Sequence, residues 1–392
     1  MRVLLLGVVL LLNGCLPLPQ PQSDPHIRWS RELGLGGAGQ HLQLQSVVEA
    51  QQLYLASHHG QVWALNRLNG KLIWQQQLAK LALAPELQRV NSGPQLLDGR
   101  LLLGSDGGLV ALAAASGELL WQQALNGTVT SLPVALNRQQ LLVRTANGYL
   151  YALNSDNGAI AWSYQWPLPP LTLYGEAPPV VVGELILIGT ASGKLLALSH
   201  NGLPQWEFDV ASSRGRNEIE RLIDVDVVTA GEGVVYLSAY QYGTAAIRVD
   251  DKPGVLWSRK EFTTEPMLLY NHSLLLSGHD GQLFRLDANN GETLWRQAAL
   301  AGQRLSAATL ISEEELVVAN SEGDLFRLSW QRGELLQRIA GGRLLERLGA
   351  VPELGHYNAP FSRKAAIFSA PVAASQGWFY TLDQRGVLLA LH

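Results

Sequence analysis

Few side chains in this sequence stand at spacings that could do chemistry. His58 and His59 come nearest to a metal-binding pair. They lie beside the turn at Gly60, and adjacent residues of a strand point to opposite faces, so the two imidazoles do not converge on one ion. Gly34-Leu35-Gly36-Gly37-Ala38-Gly39 has the glycine density of a nucleotide-binding loop. It lacks the strand-turn-helix setting and the lysine that such loops use on phosphate, and it reads as a turn. No Ser-His-Asp or Cys-His arrangement has supporting context. Asp224 and Asp226 alternate and so share a face, with Arg221 near in sequence. Such a pair is solvated, internally paired, or turned toward a partner. These residue types predict no catalytic group, no cofactor and no metal.

Cys15, the one cysteine, offers a different chemistry. Arg2 is a positive flank, Val3 to Leu12 is an apolar run too short to span a bilayer as a mature helix, and Leu12-Asn13-Gly14-Cys15 follows. This run is similar to the processing site of bacterial lipoproteins, in which lipid is attached to the cysteine after cleavage. The expected parts are a signal at 1–14, a lipidated Cys15 with a stiff Pro-rich tether at 15–25, and a folded domain at 26–392. One acyl chain holds only marginally at about 0.8 kcal/mol per buried methylene, whereas several hold durably. Leu16, where retained lipoproteins carry Asp, favours the outer membrane. With no second cysteine the domain has no internal disulfide. The 29 basic and 33 acidic residues include no run of Lys and Arg, which excludes a nucleic-acid binder.

The elements that must position these residues are written in a repeat. Thirty-nine Gly and eleven Trp stand out among 392 residues, only 16% of which are charged. A Gly turn, an Ala-Leu strand, a second Gly turn and a Trp recur: Gly60 to Leu65, Gly70 and Trp74; Gly108 to Leu112, Gly117 and Trp121; Gly148 to Leu153, Gly158 and Trp162; Gly193 to Leu198, Gly202 and Trp206. A fifth copy is degenerate (Gly243, Ile247, Gly254, Trp257) and a sixth is clean (Gly281 to Leu286, Gly291, Trp295). A seventh has Gln337 in place of Trp, and an eighth, Gly386 to Leu391, lacks its Trp strand. The Trp intervals from Trp74 to Trp295 are 47, 41, 44, 51 and 38 residues, which suits four short strands per unit. Pro94, Pro133, Pro179 and Pro371 open first strands, where a missing N–H costs little. No unit can bury its own two faces, and radial stacking solves this. Ile27 to Leu33, with Trp29, supplies the strand that the last unit lacks. The fold expected is an all-β, eight-bladed β-propeller of four-stranded blades, closed by pairing of N-terminal and C-terminal strands. Residues 340–364 interrupt the period, and a loop of that length is usually functional or mobile.

Two connecting segments remain. In Leu171-Thr172-Leu173-Tyr174-Gly175-Glu176-Ala177-Pro178, Leu171 and Leu173 share one face of an extended stretch behind Pro167, Pro169 and Pro170. They either dock a partner or pack down on the domain. The second is Glu218 to Asp226.

The Ala-Leu, Gly and Trp pattern resembles the quinoprotein-like propeller repeat of quinone-dependent alcohol dehydrogenases. From residue 15 to 392 the chain looks more like the propeller lipoproteins of the outer-membrane β-barrel assembly machinery. That resemblance implies a non-catalytic scaffold, anchored by lipid in the outer membrane and facing the periplasm. It implies that the two connecting segments contact the periplasmic domains of BamA, the barrel-forming subunit, through Leu171, Leu173, Tyr174, Asp224 and Asp226. It also implies further subunits of the assembly complex as partners, and unfolded outer-membrane protein precursors as clients. Leu171, Leu173, Asp224 and Asp226 match the family pattern, whereas Tyr174 stands where the family usually has Arg. The alternative is a periplasmic quinone-dependent oxidoreductase. Relatives of that kind are usually longer and often carry a vicinal cysteine pair, which is impossible here. A propeller binding another envelope protein or a glycan is a third reading.

Overall fold

The computed structural model describes residues 27–33, 43–169, 177–210, 224–240, 242–250, 252–340, 373–382 and 387–392. They form eight antiparallel meanders of four strands, spanning 47–77, 90–124, 134–165, 180–209, 225–259, 268–297, 309–340, and 373–391 with 27–32. These are blades 1 to 8. Blade 2 takes an extra two-residue strand, Gln43–Leu44, paired in parallel with Ser92 and Gly93. No helix of the described residues is long and apolar enough to cross a membrane.

The third strand of each blade shows why the units stack. In Tyr149–Asn154 of blade 3, Tyr151 and Leu153 pack toward blade 2, whereas Leu150 and Ala152 pack toward blade 4. A strand buried on both faces reads as an apolar run, not as an alternating one. Eight apolar clusters join successive blades in this way, and the last joins blade 8 to blade 1 through Tyr380, Leu388, Leu53 and Leu65. The clusters therefore close into a ring, in which each fully buried leucine contributes about 1.5–3 kcal/mol. First strands of neighbouring blades touch one another, so they line the axis and the fourth strands face outward.

Trp and Gly work as pairs across blades. The rings of Trp29, Trp74, Trp121, Trp162, Trp257 and Trp295 lie against Gly70, Gly117, Gly158, Gly202, Gly291 and Gly333 of the next blade. A Cβ on any of these glycines would come within 2.5–2.7 Å of the ring. Each of the six indole N–H groups donates to a carbonyl of that next blade at 2.8–3.1 Å. The degenerate fifth repeat breaks the series. Its third and fourth strands pair Ala246 with Trp257, eleven residues apart, where blade 1 pairs Ala64 with Trp74, ten apart. Gly254 consequently meets no ring, and Trp206 packs in the blade 4–5 cluster with Val249.

The closure forms as the sequence predicts. Ile27–Glu32 pairs antiparallel with Val387–Leu391, placing Trp29 opposite Ala390. Trp29 Nε1 donates to the Arg67 carbonyl of blade 1 at 2.8 Å, and Tyr380 of blade 8 donates to the same oxygen at 3.2 Å. The buried Arg67 guanidinium donates in turn to Ala50 of its own blade and to Gln376 of blade 8. This geometry explains Gln337. A Trp there would stack on the turn between the third and fourth strands of blade 8, and those two strands come from opposite regions of the chain, so that turn does not exist. Gln337 instead accepts a hydrogen bond from Arg327 at 3.2 Å.

Pro133 and Pro179 directly precede first strands as expected. Pro94 differs. It lies inside Val90–Leu97, at a break in the ladder between Ser92 and Gln95 where no N–H is needed. Pro371 lies outside the described residues, as do Cys15, Gly34 to Gly39 and nearly all of 340–364.

Candidate docking surface

The topology assigns the two connecting segments to one face. In an antiparallel meander, the turn between second and third strands and the exit from the fourth strand share one face of the ring. The other two turns share the opposite face. The connections 166–179, from blade 3 to blade 4, and 210–224, from blade 4 to blade 5, therefore emerge side by side from consecutive blades. Sequence spacing could not reveal this, because adjacency follows from ring order.

Leu171, Leu173 and Tyr174 lie outside the described residues; the flanks of their segment do not. At the entrance Trp166 is buried, and its backbone N–H donates to Gly148 at 3.0 Å. At the exit Ala177 is buried against the blade 4–5 cluster. Leu168, between the prolines, is exposed, and an open cavity of about 470 Å³ beside it is lined by Asn147, Gln165, Trp166 and Pro167.

Asp224 takes a different position from the one its spacing suggests. It is fully buried at the head of the blade 5 first strand, Val225–Gly231, and its carbonyl accepts from Tyr240 N–H at 3.1 Å. Asp226 falls at a bulge between Val225 and Val227, so strict alternation no longer relates the two residues.

One residue that spacing did not single out joins the surface to its support. Arg144, in the blade 3 second strand Gln140–Thr145, is 3% exposed. Its Nη1 donates to the Ala177 carbonyl at 2.9 Å and to that of Gly189 at 3.0 Å. Its guanidinium carbon lies 5.3 Å from the centre of the Trp166 ring. The available signal was a buried-strand position occupied by a charge.

His58 and His59 lie in the turn between Gln52–Ala56 and Gln61–Asn66, not within a strand. His58 Nδ1 lies 3.0 Å from the Val90 carbonyl, and the two imidazole rings are tilted at 54°, with centroids 5.6 Å apart. Among the described residues, no three His, Cys, Asp or Glu side chains converge to hold a metal.

The family model described as outer membrane protein assembly factor BamB matches residues 22–103, 58–297 and 254–351. The outer membrane protein assembly factor BamB of Yersinia pestis is 29% identical over 332 residues, 79% of this chain and 84% of the relative. The crystal structure of BamB from Moraxella catarrhalis superposes with a TM-score of 0.72 at 21% identity, covering 93% of this chain and 99% of that one. Quinohemoprotein alcohol dehydrogenase from Comamonas testosteroni superposes with a TM-score of 0.65 at 12% identity, covering 94% of this chain and 76% of that one. This last likeness shows the fold alone.

Proposed function

The chain belongs to the family of the outer membrane protein assembly factor BamB, and we propose that it is a non-catalytic scaffold that assists folding and insertion of outer-membrane proteins. It holds the periplasmic domains of BamA through the face of blades 3 to 5. Leu171, Leu173 and Tyr174 supply contact from the first connection. Asp224 and Asp226 hold the head of the strand into which the second connection leads. A lipid on Cys15 keeps the propeller at the outer membrane, facing the periplasm, and raises its effective concentration at the partner. Other complex subunits bind the same assembly, and unfolded precursors pass close to it.

The observation that carries this reading is the emergence of both segments on one face from consecutive blades, in a chain of this family. The test is affinity capture from solubilised outer membranes with mass-spectrometric identification, run beside Leu173→Glu. We expect BamA to be recovered with the wild-type chain and lost with Leu173→Glu, whose melting curve stays normal. Capture without BamA, or a Leu173→Glu chain that binds fully, sinks the docking reading. Recovery of the chain from the soluble periplasm sinks the anchor.

A further inference from the structure

Arg144 is out of place in its own repeat. The equivalent residue near the end of each blade's second strand is identified by its partner in the third strand. Arg144 pairs with Leu150, and the equivalents are Ala56, Gly104, Gly189, Ser238, Ser277 and Ala319, with Leu382 in blade 8. Six are small, and at the two glycines the reason is steric. A Cβ on Gly189 would stand 2.6 Å from Val225, and one on Gly104 would stand 2.6 Å from Val129. Neighbouring chain presses on this position, and blade 3 alone fills it with a guanidinium.

Burying a charge costs several kcal/mol unless its donors are satisfied, so the bonds show what the residue is for. Arg144 reaches the two ends of one connection. Its Nη1 holds the Ala177 carbonyl, where the chain re-enters blade 4, and its guanidinium carbon lies over the ring of Trp166, where the chain leaves blade 3. The bond to Gly189 ties the same group to the blade 4 second strand. Residues 167–176 lie between the two clamped ends. A segment whose ends are fixed loses less conformational freedom on binding than one whose ends move.

We propose that Arg144 is a positioning residue for partner binding, clamping Trp166 and Ala177, the two ends of the docking connection. This rests on the docking role proposed for Leu171, Leu173 and Tyr174. Arginine suits the task, because one guanidinium nitrogen serves two carbonyls while the carbon of the same planar group lies over the indole; lysine offers a point charge without that plane.

The experiment uses the mature full chain, a soluble fragment containing the periplasmic domains of BamA, and three readouts: affinity, amide hydrogen exchange and melting. Arg144→Met is expected to weaken binding at least tenfold. Exchange should quicken across 166–179 and stay unchanged in blades 6 to 8, with the melting transition still cooperative. Arg144→Lys should restore part of both the affinity and the protection. Leu173→Glu should lose affinity with wild-type exchange at Trp166 and Ala177. If Leu173→Glu loses binding but Arg144→Met keeps wild-type affinity and exchange, the clamp is overturned and the docking reading stands. If Leu173→Glu binds normally, the docking reading falls, and a wild-type exchange pattern in Arg144→Met then overturns the clamp as well. Should Arg144→Met not fold, Arg144→Lys decides, and wild-type exchange and affinity in that variant overturn the proposal.

Discussion

The pairing of indole and glycine sets the cost of single substitutions. Trp121 is 7% exposed, donates to the Ser155 carbonyl at 3.1 Å, and lies on Gly158, whose φ of +75° also disfavours a side chain. Trp121→Ala should lower stability by about 3–5 kcal/mol, the range for truncating a large buried aromatic. The converse substitution is the sharper test. Gln337→Trp restores the repeat's consensus, yet blade 8 offers it no turn to stack on and the change removes the acceptor for Arg327. Urea denaturation should show no gain from Gln337→Trp; a gain like that of the other tryptophans would mean that the stacking partner exists. Gly and Trp were legible in the sequence because each is chemically unusual and regularly spaced. The burial of Asp224 was not, because a residue's depth depends on which chain segments close over it.

At the level of the strand, one device recurs in every blade. Arg28, Ile73, Leu120, Ala161, Gln205, Leu256, Leu294 and Leu336 each fall at a register shift in the fourth strand, directly before the Trp or its Gln equivalent. A bulge disrupts the ladder and increases twist, which makes an outer edge a poor template for another strand. Eight outward edges would otherwise invite edge-to-edge association. Five of these residues are large and aliphatic, yet 41–49% exposed: Ile73, Leu120, Leu256, Leu294 and Leu336. A chain carrying Leu120→Lys, Leu256→Lys and Leu294→Lys should therefore keep its denaturation midpoint, each change falling within about 0.5 kcal/mol. A combined loss above ~2 kcal/mol, beyond what three surface changes produce, would mean that these side chains are packed. The strands and the Trp beside each bulge were readable from periodicity. The bulges were not, because an extra residue alters hydrogen-bond register without altering residue type. The parallel pairing of Gln43–Leu44 was hidden for the same reason, being two residues long and joining distant parts of the chain.

The ring as a whole depends on the longest-range pairing in it. Ile27–Glu32 meets Val387–Leu391 across nearly the whole chain, so this contact carries the largest loop-closure cost in the ring. Removing residues 27–33 deletes that ladder, the stack of Trp29 on Gly70 and one of two donors to the Arg67 carbonyl. It also takes Ile27 from the blade 7–8 cluster, and Leu33 with Trp29 from the blade 8–1 cluster. The loss should reach about 3 kcal/mol, the low end for a large packed aromatic, because half-buried Trp29 goes together with buried Leu33 and the ladder. Each blade touches only its neighbours, so the damage should be local at first. Amides in 387–391 should exchange faster and the urea midpoint should fall. A synthetic peptide of residues 27–33 added in trans should restore part of both. Blades 3 to 5 lie away from the opened seam, so the folded fraction should still capture the BamA fragment with wild-type affinity. An unchanged midpoint would show that the strand is dispensable to the ring. Capture lost in step with the seam would show that the docking face depends on the whole circle and not on its own three blades.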